Sequence, residues 1–168
     1  MKNNNNKIKL LTYSSLFAAI IALTTAFVKI PLTSTGYVHI GDMFIYLLAC
    51  LLPLPYAMCA AAIGGAVADI IAGYAVYSVF TFVIKALLCL AFTSATVRIL
   101  SGRNIIGCLI CLIITTGGYF LTDTLLFGTA AALGAVIFNL LQAVVSGVVF
   151  VVVAGILDKI GIKKIFML

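Results

Sequence analysis

Charge is what this sequence has least of. Only 8% of its 168 residues are Asp, Glu, Lys or Arg, against about 25% in a soluble domain, so the chain cannot cover a water-facing surface. Glutamate and tryptophan are absent, and His39 is the single histidine. The four acids are all aspartates: Asp42, Asp69, Asp123 and Asp158. No HExxH, GxSxG or GxxxxGK[ST] occurs, which excludes a zinc-protease helix, a nucleophile elbow and ATP hydrolysis by a phosphate loop. The five cysteines (Cys50, Cys59, Cys89, Cys108, Cys111) all lie in apolar runs, and an odd number there builds no disulfide framework. Cys108 and Cys111 form a CxxC without a second ligand pair, which reads as small buried hydrophobes. Asp69 and Asp123 are a conceivable acid pair, but nothing in their spacing marks a reaction. We therefore expect no catalytic residue, no metal and no cofactor, and hence no enzyme.

What is present is apolar. Hydrophobic residues make up 65% of the chain, and the mean hydropathy is +1.33. The composition predicts an all-α integral membrane protein of one domain, embedded in the lipid bilayer of the cell. The formal charge of +6 does not point to nucleic acid, because the basic residues sit mainly at helix ends and read as membrane orientation.

Residues 1–9 are basic, carry an Asn tract at 3–6, and are expected to be a disordered tail. The membrane domain is expected over 10–157, and residues 158–168 as a basic cytoplasmic tail. The first apolar span, 10–28, resembles a signal peptide, but the count of spans requires it to be retained. A loop follows over 29–40, in which His39 is expected to be solvated. Further spans are expected at 41–52, 56–73, 78–97, 104–127 and 131–157. Pro53 and Pro55 divide the second from the third. Treating those two as one kinked helix would give five spans and put the chain ends on opposite sides. With six, the N-terminal lysines, Arg98, Arg103, Lys159, Lys163 and Lys164 share one side, as the positive-inside rule requires. The sequence thus predicts a six-transmembrane-helix bundle with both termini cytoplasmic.

That topology collects the polar residues in the outer half. Asp42 begins the second span and Asp69 ends the third, near Tyr74 and Tyr77. Ser78, Thr81 and Lys85 share a face of the fourth at i, i+3, i+7. Thr115, Tyr119 and Thr122 share one on the fifth beside Asp123, and Asn139, Gln142 and Ser146 one on the sixth. A charge within the membrane is costly and usually faces a cavity or a partner, so Lys85 is expected to pair with Asp69 or Asp123. Cross-linking of helices would explain any one of these residues; their convergence favours an outward-facing pocket. An interfacial aromatic belt accounts for Tyr37 and Tyr77, whereas Tyr119 lies deeper. Ser14, Ala18, Ala22 and Ala26 form a small-residue stripe on the first span, which lets another helix approach closely, either inside the bundle or from a partner.

The stretches GYVHIGDMFIYL, ADIIAGYAVYSVFTFVIKALL, GGYFLTDTLLFG and FNLLQAVVSG, in that order and spacing, resemble the substrate-binding S components of energy-coupling factor (ECF) transporters. The resemblance spans roughly residues 10–157 and is closest to the riboflavin-type membrane family. It implies a six-helix protein that captures a small vitamin-like molecule from outside. It also implies a transmembrane T component and two ATPase subunits as partners. The family's AxxxA signature matches Ala18 and Ala22, or Ala22 and Ala26, which favours Ser14, Ala18, Ala22 and Ala26 as the face that docks on the T component. Its pocket is built from the outer parts of the later helices and the first loop. That location implies Asp42, Asp69, Tyr74, Thr81, Lys85, Tyr119, Asp123, Asn139 and Gln142 as substrate-binding residues. Hydroxymethylpyrimidine, pyridoxine-like compounds and riboflavin are the candidate substrates, and the lack of Arg and Trp in the pocket leans towards a small neutral heterocycle. A self-sufficient secondary transporter and a non-transporting structural subunit are the rival readings.

Overall fold

The computed structural model describes residues 2–33 and 36–166. Helix α1 (Lys2–Phe27) leads into a two-stranded antiparallel hairpin, β1 (Lys29–Thr33) and β2 (Gly36–His39), in which Lys29 pairs with His39 and Ile30 with Val38. Then come α2 (Gly41–Leu51), α3 (Leu54–Ala72), a 3-10 turn (Ala75–Tyr77), α4 (Ser78–Cys89), α5 (Gly102–Phe127), α6 (Thr129–Lys159) and the short α7 (Lys163–Phe166). Four helices are long and apolar enough to cross a membrane: α1 from Asn4, α3, α5 and α6. Helices α2 and α4 are shorter, with 11 and 12 residues.

Several boundaries differ from the expected ones. The Asn tract at 3–6 belongs to the first turns of α1, where Asn4 and Asn5 face outward, so these residues are helical and not a disordered tail. The first loop is a hairpin. Its β-branched Ile30 and Val38 suit strands, and Pro31 is tolerated because each strand of a two-stranded sheet is an edge. The C-terminal segment is also structured: the Phe166 ring lies 4.8 Å from that of Tyr13, and Lys163 Nζ donates to Thr96 Oγ1 at 3.3 Å.

The largest difference lies in the fourth span. Its helix stops at Cys89 rather than continuing to Val97, and residues 92–101 are non-helical. Two side chains distant in sequence replace the missing helical bonds. Asn104 Oδ1 accepts from the Thr93 amide, while its Nδ2 donates to the carbonyls of Thr93 and Ile99. The Asp158 carboxylate accepts from the amides of Ile99 at 2.7 Å and Leu100 at 2.9 Å. Backbone polar groups buried outside a helix need other partners, and these two residues supply them.

Helix α2 is the hub. Pro53, extended at φ −56° and ψ 141°, separates it from α3, as its ring requires. Ten of its eleven residues are buried, and it touches α1, α3, α4 and α6. Around it α1 packs on α3, α3 on α4, α4 on α5 and α5 on α6. Small residues set these distances. A Cβ at Gly64 would stand 2.7 Å from the Ala18 carbonyl, and one at Gly118 would stand 2.9 Å from Ile84. The tight α5–α6 turn is made at Gly128, whose φ of +87° suits glycine alone. One end of the interior is closed by Tyr46, Phe92 and Phe150, with ring centroids 5.0 to 5.8 Å apart.

Candidate functional site

The site is built where α2, α4, α5 and α6 meet. Asp42 stands in the first turn of α2, directly after the hairpin, and is 0% exposed; Lys85, on the inner face of α4, is 1% exposed. Lys85 Nζ donates to Asp42 Oδ1 at 2.6 Å. Gln142 of α6 donates through Nε2 to Asp42 Oδ2 at 3.1 Å. The ammonium also lies 5.3 Å from the centre of the Tyr119 ring, a cation–π distance. Tyr119 Oη and Thr81 Oγ1 are 3.2 Å apart. Gly65 of α3 makes room for this arrangement, since a Cβ there would stand 2.7 Å from Lys85 Cγ.

The acid partner of Lys85 is thus Asp42, and neither Asp69 nor Asp123. The stripes on α4 and α6 point as expected, but α2 sits between them, so its first-turn acid reaches the ammonium first. Asp123 is engaged elsewhere: Tyr77 Oη donates to its Oδ1 at 2.6 Å. Asp69 is buried in the last turn of α3. Tyr74 and Tyr77 meet edge to face with centroids 6.4 Å apart. Lys29 Nζ lies 5.6 Å from the Tyr74 ring centre and donates to the Ala72 carbonyl at 3.3 Å, tying the hairpin base to the end of α3. Asn139 is half-buried on α6, and no side-chain hydrogen bond among the described residues joins it to the cluster. Of the nine expected site residues, Asp42, Thr81, Lys85, Tyr119 and Gln142 form one connected group. Tyr77, which position alone assigns to the interfacial belt, enters through its bond to Asp123. The side chain of Tyr37 lies outside the described residues.

His39 is buried rather than solvated. Its Nδ1 accepts the Gly41 amide at 3.0 Å, capping the start of α2, whose own N-cap residue Ile40 makes no side-chain bond there. Burial pushes its pKa down to about 4; Asp42 opposes this shift and Lys85 adds to it. The ring is therefore neutral at ordinary pH, as an accepting Nδ1 requires.

The small-residue stripe on α1 divides in two. Ala22 and Ala26 are buried inside the chain, so this half belongs to the bundle. Ser14 and Ala18 instead border an apolar groove of about 480 Å³ between α1 and α3, lined also by Leu11, Pro55, Tyr56 and Ile63.

A helical membrane bundle that encloses a buried ion pair, a glutamine and tyrosine hydroxyls has the chemistry to hold a small polar molecule. Known proteins narrow that reading. The chain belongs to the family of ECF-type riboflavin transporter S components, which matches residues 5–159. It is 32% identical over 133 residues to a Pyrococcus woesei protein named "Uncharacterized protein in gap 3'region", covering 77% of this chain and 87% of the relative. In fold it is similar to a solved structure described as the S component of a bacterial ECF transporter. The TM-score is 0.72 at 18% identity, with 92% of this chain and 98% of that one covered. The protein is accordingly a multi-pass membrane transport subunit of a non-enzymatic family.

Proposed function

We propose that this chain is the substrate-capturing S component of an ECF-type ABC transporter. It takes up a small vitamin or vitamin precursor with energy from separate T and ATPase subunits. The observation that carries this reading is the Lys85–Asp42–Gln142 network roofed by Tyr119 and Thr81. Donors, acceptors and flat aromatic faces stand together there, as an orienting site for a polar ring needs. Hydroxymethylpyrimidine, pyridoxine-like compounds and riboflavin are the candidates, with a small neutral heterocycle favoured. Asp69, Tyr74, Asp123 and Asn139 complete the outer wall.

The chain crosses the membrane six times with both termini in the cytoplasm. Helix α2 continues the hairpin, and residues 90–97, ahead of Arg98, complete the pass that α4 begins. Eight of the ten basic residues, all but Lys29 and Lys85, then lie on one side. The T component seats on the Ser14 and Ala18 side of the α1–α3 groove.

Equilibrium binding of the three candidate classes to the purified chain in detergent tests the reading, with mass spectrometry of co-purifying small molecules alongside. One class should bind, and Gln142→Leu should weaken it. Absence of binding by all three would refute it. Ion-driven uptake by the chain alone in liposomes would replace it with a secondary transporter.

A further inference from the structure

One helical turn inward from Asp42, Tyr119 and Gln142 stand Tyr46, Thr115 and Ser146. All three are 0% exposed, and their hydroxyls make no well-formed hydrogen bond among the described residues, the Tyr46 hydroxyl lying beside the Cys111 thiol at most. Their helices pack together, α2 on α6 and α5 on α6, and Tyr46 reaches α5 beside Cys111. Thr115 shares its helix face with Tyr119 and with Cys111, whose thiol donates to the Leu88 carbonyl of α4 at 3.6 Å. Ser146 shares its face with Gln142, bonded to Asp42, and with Phe150, packed on the Tyr46 ring. Beyond them the aromatic closure of Tyr46, Phe92 and Phe150 shuts the bundle.

Buried hydroxyls without a partner are rare, because each forfeits its solvation without a replacement bond. Lys85 poses the matching question from above. An ammonium has three protons to donate, and its hydrogen bond to protein goes to Asp42. A buried ion pair is tolerable only when the remaining protons are also satisfied. A metal cation would not serve, since the layer holds no carboxylate and lies beneath an ammonium. A water molecule would, because it donates to and accepts from several groups at once.

We propose that Tyr46, Thr115 and Ser146 enclose a buried hydration site beneath the Lys85–Asp42 pair, whose water accepts from the ammonium and bridges the three hydroxyls. The site is independent of which ligand the outer pocket takes.

The test uses the unliganded full-length chain in detergent, with the thermal midpoint as readout. Thr115→Val and Ser146→Ala should each lower the midpoint by about 2–4 °C, the shift expected for one hydrogen bond in a chain this long. Because both hydroxyls bond the same water, the double variant should lose clearly less than the sum. Thr115→Ser, which keeps the hydroxyl, should stay near the wild type. Should Thr115→Val fail to fold, Tyr46→Phe with Ser146→Ala carries the same cycle. Midpoints that hold or rise, with additive effects, would mean dry hydroxyls and overturn the proposal. Variants silent without ligand but weakened in ligand affinity would overturn it too, since the partner would then be a ligand hydroxyl.

Discussion

Replacing Lys85 by Met strands a carboxylate. In the native chain Asp42 receives Lys85 on one oxygen and Gln142 on the other, with neither member of the ion pair more than 1% exposed. Removing one member of a buried pair costs about 3–5 kcal/mol, because the remaining charge has lost its partner and cannot reach water. At about 2–4 °C per kcal/mol for a chain of this length, the thermal midpoint of Lys85→Met should fall by roughly 6–20 °C. The Gln142 bond survives and places the outcome towards the lower end. Asp42→Asn leaves the lysine charged and should cost a similar amount. The double variant Lys85→Met/Asp42→Asn carries no stranded charge and should recover more than half of either loss. The assay is thermal unfolding of the purified chain in detergent, run for the four members of the cycle. Asp69→Asn and Asp123→Asn, each combined with Lys85→Met, serve as decoys and should rescue nothing. Wild-type stability of Lys85→Met, or rescue by Asp123→Asn, would refute the assignment of Asp42 as partner.

Gly65→Ala should destabilise through the same lysine, since the added Cβ stands 2.7 Å from Lys85 Cγ. The cost should shrink in a Lys85→Ala background, and an unchanged cost would place the clash elsewhere. His39 gives a pH dependence of known sign: its folded-state pKa of about 4 lies below the ordinary 6.5, so the unfolded chain binds more protons between those values. Its stabilising effect is complete above about pH 6.5 and is lost as pH falls towards 4. His39→Gln should flatten that slope in thermal midpoints read from pH 4 to 8, and a slope that persists would assign it to another group. Ala18→Leu fills the α1–α3 groove, so vitamin uptake in cells should fall at least tenfold while ligand affinity of the isolated chain is kept; lost affinity with intact uptake would return the stripe to the bundle.

Much of this arrangement is legible in the sequence because helical period and cost of burial act locally. The faces Ser78–Thr81–Lys85 and Asn139–Gln142–Ser146 follow from i, i+3, i+7 spacing, although the acid on which Lys85 and Gln142 meet, Asp42, is not the one expected. The division at Pro53 follows from ring chemistry. Adjacency is what the sequence does not encode locally. Lys85 stands 43 positions from Asp42 and Gln142 stands 100 from it, and only the insertion of α2 into the bundle centre puts Asp42 in the place expected of Asp69 or Asp123. The early end of α4 is hidden for the same reason. Residues 90–97 read as more apolar helix, and the side chains that hold the open segment at Thr93 and at Ile99 and Leu100, Asn104 and Asp158, lie in later elements.

The location of Asp42 makes the hairpin and the site one mechanical unit. Two residues separate it from the last residue of β2, and His39 fixes the intervening turn through the Gly41 amide. The hairpin base is held at its other end by Lys29 on the α3 carbonyl end, a favourable place for a cation. A shift of the hairpin therefore moves the start of α2, and with it the carboxylate that holds both Lys85 and Gln142. An acid placed at Asp69 or Asp123 would have tied Lys85 to a helix end alone. Because the acid is Asp42, α4 and α6 are joined through the first turn of α2. Whatever opens the hairpin must also strain that junction.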